Sequence, residues 1–286
     1  MSRASTKIWL TGANGLLAKA LKTELSDYPL LTTTHKELDI CHINKSKNFI
    51  TNNKINIIIN CAAFTQVDKA EQQPQSAYAI NSYAVKNLAS LMAQQGGKII
   101  HFSTDYLFDG LKEQPYNETD RPKPLNIYGH SKLLGERYLH KICPNSVTIR
   151  TSWLYGDGGN SFVHKILKQL DKPQINVVAN QLGSPTYANS LAKVIPYLLE
   201  SNLSGIFHYS AFGTTSWYNY ACEIMKLTSP NQLYKLTPIN GRQLTQAKRP
   251  FCSVLDKKKI LKTLPIKIND WQSELTAFLK AAKLYP

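Results

Sequence analysis

Acidic residues are scarce in this chain: 19 Asp and Glu stand against 34 Lys and Arg over 286 residues, a formal net charge of +15. Cysteine is scarce too, and Cys41, Cys61, Cys143, Cys222 and Cys252 include no CxxC pair. An odd count at such spacing argues against a disulfide framework or a paired-thiol zinc site and points to free, buried thiols. No apolar run approaches the ~18 residues that cross a bilayer. The opening stretch MSRASTKIWLTGANG lacks the apolar block of ~7–15 residues that marks a secretory leader, so a cytoplasmic protein with no membrane partner is expected. The basic residues are scattered, and the densest group, Lys257-Lys258-Lys259, has no interleaved aromatics. No nucleic-acid partner is therefore expected, whereas an anionic cofactor or substrate suits the charge.

From residue 7 to about 150, the apolar runs KIWLTG, NIIINCAA, KIIHFSTD and SVTIRTSW read as buried strands. Residues 15–26, 72–95 and 126–142 have the length and apolar spacing of crossover helices between them. This alternation predicts an α/β fold, a Rossmann-type doubly wound parallel sheet over 1–150. Residues 151–286 alternate less regularly, with a helix expected at about 187–201, a strand at GIFHYS and a helix at about 216–227. They are read as a smaller C-terminal lobe with some segments returning to the sheet. The end, NDWQSELTAFLKAAKL, predicts a helix capped by Asp270 that docks through Trp271, Leu275, Phe278 and Leu279.

TGANGLLA, residues 11–18, follows the first strand and opens the first helix with the spacing GxxGxxA. Such a turn brings the backbone of Gly12, Asn14, Gly15, Leu16 and Leu17 to a helix N-terminus, where N–H groups and the helix dipole favour a dinucleotide pyrophosphate. The second strand ends in LLTTTHKELDI without the acid that commonly binds the adenosine ribose. Thr33, Thr34, His35 and Lys36 could take a ribose 2′-phosphate, favouring NADPH, while Glu37 and Asp39 keep NADH open; Asp39 and Ile40 would lie beside the adenine. Ala62 and Ala63, after the third strand, leave room for the nicotinamide half.

Ser103, Thr104 and Asp105 end another predicted strand, at the edge where parallel sheets hold their ligands. In NIYGHSKLLGE, Asn126 is a candidate N-cap, and Tyr128 and Lys132 stand four apart on one helix face. A phenol titrates near ~10, so as a general acid it needs neighbours that favour the phenolate, and Lys132 and an oxidised nicotinamide would both do so. Thr104 could donate to the same carbonyl oxygen.

The motifs GANGLLA, NCAAFTQVDKAE, AINSYAVKNLA, STDYLFDG, NIYGHSKLLGE, RTSWLYG, NQLGSPT and KRPFCSVLD occur in this order along nearly the whole chain. Together they resemble the extended short-chain dehydrogenase/reductase superfamily and, within it, the dTDP-4-dehydrorhamnose reductase family. The resemblance implies hydride transfer from NADPH or NADH to C4 of a dTDP-linked 4-keto-6-deoxyhexose. It implies Thr104, Tyr128 and Lys132 as the catalytic set, with Lys132 also holding the nicotinamide ribose. Asp105, Tyr106, Trp153 and Gln181 would line the sugar side, and Arg249 would face the diphosphate. Phe64, beside the cofactor, stands where the family usually has tyrosine, Cys61 where it often has alanine, and Ala18 where it has the third glycine. Some members hold a metal at a dimer interface; the acids needed for it find no match here, so no metal is expected, and a homodimer is left open. Dehydratases of the same fold need a Glu where this chain has Tyr106. A sister reductase making another deoxysugar, an epimerase, and a non-catalytic module like the regulatory subunit of methionine adenosyltransferase are the competing readings.

Overall fold

The computed structural model describes residues 6–158, 160–170, 172, 174–229, 235–241 and 246–284. Residues 1–5, on which part of the leader expectation rests, lie outside them. Strands β1 (Ile8–Thr11), β2 (Leu30–Thr33), β3 (Ile57–Asn60), β4 (Lys98–Thr104) and β5 (Val147–Thr151) form one parallel sheet. Gly205–His208 adds a sixth parallel strand beside β5. The order runs from 205–208 through β5, β4, β3 and β1 to β2, so the chain reverses direction across the sheet between β1 and β3. A crevice opens there beyond the carboxyl ends, which is where doubly wound sheets take their ligands.

Helices α1 (Leu16–Glu24), α2 (Ile43–Asn53), α3 (Val67–Gln72), α4 (Pro74–Tyr78), α5 (Ala84–Gln94) and α6 (Ile127–Ile142) connect these strands. Alternation along each strand feeds two cores. Ile8, Leu10, Ile57 and Ile59 pack on one face with Leu17 and Leu21 of α1 and with Leu191, Ile195, Leu198 and Ile260 from the C-terminal half. Trp9 and Ile58 pack on the other with Ile50, Val85, Leu88, Met92 and Leu139. Each fully buried side chain of this size contributes about 1.5–3 kcal/mol, and both faces are covered, which is why these strands read as unbroken apolar runs. A third core gathers Tyr155, Ile166, Ile175, Tyr220, Ile224, Trp271, Leu275 and Phe278. The last helix, Trp271–Ala281, docks there with Asp270 accepting the Ser273 N–H at 2.8 Å.

Two helices differ from the sequence reading. The span 72–95 is interrupted by a π-helical turn at Ala79–Tyr83, and 187–201 splits into Ala188–Ala192 and Ile195–Glu200, with Pro196 in the first turn of the second. Helix α2 had no signal, because INKSKNFITNN is poor in strong helix formers and packs chiefly through Ile50. The Lys257–Lys259 group is divided, with Lys257 buried and Lys258 and Lys259 exposed. Lys257 is buried with its ammonium 5.2 Å from the Phe212 ring, Lys258 lies 3.6 Å from Asp256, and Lys259 donates to the Ile206 carbonyl at 2.6 Å. Among the described residues no helix is long and apolar enough to cross a membrane, and no cluster of three or more His, Cys, Asp or Glu is placed to hold a metal.

Candidate functional site

The glycine turn is shaped first by its own neighbours. Gly12 has φ +66°, and a Cβ there would sit 2.8 Å from the Ala62 nitrogen, so glycine is required for both conformation and space. Gly15 N–H closes the turn on the Gly12 carbonyl at 2.8 Å and Ala13 N–H ties it to Thr33 of β2 at 3.0 Å. Gly15 then stands as N-cap of α1 without a side-chain bond. The first-turn N–H groups of Leu16 and Leu17 consequently lack intrahelical partners and face the crevice end. Leu17 sends its side chain into the core and Ala18 is fully buried, so the third small position serves packing. Asn14 is exposed at the turn.

Beside this turn, His35 and Lys36 are exposed, with His35 Nδ1 3.7 Å from Asp39. The Asp39 carboxylate accepts the Cys41 N–H at 2.9 Å, and Ile40 is buried. At the end of β3, Ala62, Ala63 and Phe64 are half-buried. Asn81 clamps the Phe64 backbone from both sides, accepting its N–H at 2.9 Å and donating to its carbonyl at 3.1 Å. Asn81 sits in the π-helical turn, a local widening that often marks functional positions.

Helix α6 begins where the sequence predicts. Asn126 accepts the Gly129 N–H at 2.8 Å, and Glu71 accepts the Ile127 N–H at 2.7 Å, placing a carboxylate at the positive helix end. Two glycines let this helix approach: a Cβ at Gly129 would meet the Tyr106 carbonyl at 2.3 Å, and one at Gly135 the Asn81 carbonyl at 2.1 Å. The approach sets the half-buried Tyr128 phenol beside the Thr104 side chain at the end of β4. Thr104 also bonds Asp105 at 3.2 Å and accepts the Tyr106 N–H at 3.2 Å. Burial pushes the phenol up to about 12, the neighbouring Thr104 hydroxyl opposes this, and the Asp105 charge adds to it.

Lys132 is placed differently from the expected pairing with the phenol. Its nitrogen donates to the Phe102 carbonyl at 2.6 Å and lies 3.2 Å from His101 Nε2, buried behind the strand end. Burial pulls it down to about 8, against the opposing influence of Glu136 and Cys61. Asp105, 3% exposed, accepts from Ser253 Oγ at 2.5 Å; burial raises its carboxyl to about 6 despite that bond and the one from Thr104.

Across the crevice, Tyr106 lies edge-on to Tyr128 with ring centroids 6.1 Å apart and has Arg249 beside it. Arg249 holds Asp68 bidentately, at 2.7 and 3.1 Å, so the fork assigned to a diphosphate is closed on a carboxylate of α3. Trp153, strained at φ +48°, stacks on Trp217 with centroids 3.4 Å apart, and Gly183 leaves room against its ring. Gln181 is buried at 9%, and the adjoining Leu182 backbone pairs with Phe251 and Ser253. Asp68, Glu71, Asn81, Trp217 and Ser253 escaped the sequence reading. Asp68, Glu71, Asn81 and Ser253 lay inside quoted motifs without an assigned role, and Trp217 lies outside them.

A doubly wound sheet with a glycine turn at its reversal point, and a Tyr-xxx-Lys helix beside a strand-end threonine, define an oxidoreductase of the short-chain dehydrogenase/reductase type. A family model described as "RmlD substrate binding domain" matches residues 6–284, and the chain belongs to that family. It is 37% identical to a dTDP-4-dehydrorhamnose reductase of Aggregatibacter actinomycetemcomitans, over 94% of this chain and 97% of the relative. It is 36% identical to the spore coat polysaccharide biosynthesis protein SpsK of Bacillus subtilis, over 96% and 97% of the two chains. A crystal structure of dTDP-4-dehydrorhamnose reductase from Bacillus anthracis in complex with NADP superposes with a TM-score of 0.92 at 34% identity, covering 96% of this chain and 99% of that one.

Proposed function

We propose that this chain reduces the C4 keto group of dTDP-4-dehydro-L-rhamnose with NAD(P)H, giving dTDP-L-rhamnose. The observation that carries this is the Thr104–Tyr128 hydroxyl pair at the end of β4, in a chain of this family. The residues fit a dinucleotide: a left-handed glycine turn, the uncapped first turn of α1, and small side chains after β3. NADP in the Bacillus anthracis relative, with His35 and Lys36 exposed next to the turn, supports NADPH over NADH.

When bound, the dinucleotide supplies the hydride that reaches C4. The chain supplies everything at the oxygen. Thr104 and Tyr128 are neighbours at the end of β4, so a carbonyl oxygen seated between their hydroxyls would take two hydrogen bonds that strengthen as its charge grows. Tyr128 then gives up its proton, leaving a phenolate that is replenished from solvent. A phenol held near 12 is a reluctant acid, so the nearby cation of Lys132 has to favour the phenolate during turnover. Lys132 would also hold the nicotinamide ribose. Asp105, Tyr106, Trp153 and Gln181 would hold the sugar. Arg249 would meet the diphosphate by exchanging Asp68 for it, one anion for another in the same fork.

The test is to mix the protein with freshly generated dTDP-4-dehydro-L-rhamnose and NADPH or NADH, follow cofactor oxidation, and identify the sugar by NMR. dTDP-L-rhamnose as product is expected. A product of the other C4 configuration would move the chain to a sister reductase, and measurable cofactor binding without oxidation would overturn the enzymatic reading.

A further inference from the structure

Four buried polar side chains form a line across the sheet behind the site. Thr11 closes β1, Asn60 closes β3, His101 lies on β4 and Lys132 on α6, and none is more than 2% exposed. Thr11 Oγ1 accepts the Ala62 N–H at 3.3 Å and donates to Asn60 Oδ1 at 2.7 Å. This sets the amide, so that Asn60 Nδ2 donates to His101 Nδ1 at 3.1 Å. A neutral imidazole has one N–H, and with Nδ1 accepting, that hydrogen is on Nε2. Nε2 faces Lys132 Nζ at 3.2 Å. An ammonium has donors only, so a bond from Nε2–H requires the lone pair of a neutral amine.

A second arrangement takes up one more proton and reverses the Thr11–Asn60 bond, releasing the Thr11 hydroxyl hydrogen from Oδ1. Lys132 as ammonium donates to Nε2, the ring hydrogen sits on Nδ1, and the Asn60 amide turns so that Oδ1 accepts from Nδ1–H and Nδ2 donates to Thr11 Oγ1. The bond from Lys132 to the Phe102 carbonyl survives in both.

We propose that His101 and Asn60 are positioning residues that tie the protonation of Lys132 to the tautomer of His101: neutral lysine with Nε2–H, charged lysine with Nδ1–H. The proton count balances, because one proton enters from solvent, the added charge resides on Nζ, and the imidazole is neutral with one N–H in both states. The groups facing this pair are Glu136 on α6, itself in a bidentate bond with Arg150 of β5, Cys61 after β3, and His140 of α6 on the His101 side. Burial, then the Lys132 charge, holds His101 far below the usual imidazole range, so an imidazolium does not intrude. Lys132 at about 8 places the switch within the working range of pH. The consequence for turnover rests on the role proposed above for Lys132; the tautomer coupling itself does not.

The experiment is a pH titration of cofactor-free protein labelled with ¹⁵N-histidine, from about pH 6 to 10, reading the tautomer of each of the seven histidines. His101 is identified by the signal missing in His101→Gln. The expected result is a change from Nδ1–H at low pH to Nε2–H at high pH, absent in Lys132→Met. Asn60→Asp, whose carboxylate only accepts, should hold Nδ1–H throughout and move the upper limb of the kcat/KM profile up by about one pH unit. One tautomer across the whole range in the unaltered protein, or a change that persists in Lys132→Met, overturns the coupling, and the first of these needs no variant to fold. A tautomer change in a protein that reduces no sugar would sink the reductase reading alone; turnover with a fixed tautomer would sink the coupling alone.

Discussion

The glycine-turn side of the crevice is made of backbone and of neighbours in sequence, whereas the Arg249 side is made of side chains brought from far apart. Gly12 to Leu17 form one contiguous turn whose partners are main-chain atoms of adjacent strands. Opposite it, Asp105 meets Ser253 across 148 residues, Asp68 meets Arg249 across 181, and Asn126 Nδ2 meets the Lys248 carbonyl across 122. A backbone turn has few solutions, so it tolerates few sequences and leaves a pattern. A side-chain cluster has many, so those of its members that were picked out came by family resemblance and not by spacing. The catalytic candidates lie on the seam, where Thr104 of β4 meets Tyr128 on a helix whose start is tied to Glu71 and to the Lys248 carbonyl.

The largest effect is expected at that seam: Tyr128→Phe should lower turnover ~10²-fold or more with NADPH affinity nearly intact, read from steady-state kinetics and a binding titration. Unchanged turnover would falsify the assignment of the acid. On the glycine-turn side, Gly12→Ala should cost about 2–4 kcal/mol in urea unfolding and weaken the dinucleotide, because both φ and the Ala62 backbone forbid the methyl. On the far side, Asp105 makes stability depend on pH. Its folded-state value is raised from 3.8 to about 6, so the folded state binds the proton more tightly than the unfolded one. The contribution is present below about 4 and lost as pH rises through about 6, on the order of 2–3 kcal/mol. Asp105→Asn should flatten that slope in unfolding curves taken at several pH values.

Smaller effects sharpen the contrast. Arg249→Ala should raise KM for the sugar nucleotide ~10-fold and leave KM for the cofactor unchanged; equal shifts in both would show that the two sides are not separable. Asn126→Ala should cost about 1 kcal/mol, the usual worth of an N-cap, and lower kcat more than it alters either KM, since it loosens the helix start that aims Tyr128.

The strands, the glycine turn, the start of α6 and the terminal helix were legible because each depends on short-range constraints: apolar periodicity, a left-handed turn, or a capping side chain three residues from its N–H. The π-helical turn holding Asn81 was not, since AINSY fits an unbroken helix and only the Phe64 backbone gives the widening a purpose. Lys132 shows the limit most clearly. Its place four residues after Tyr128 determined that both lie on one helix face. Whether its nitrogen meets the phenol or the Phe102 carbonyl and His101 was decided by the packing of α6 against β4. Spacing along a chain sets direction, but burial and the partners that satisfy a buried charge are properties of the assembled fold.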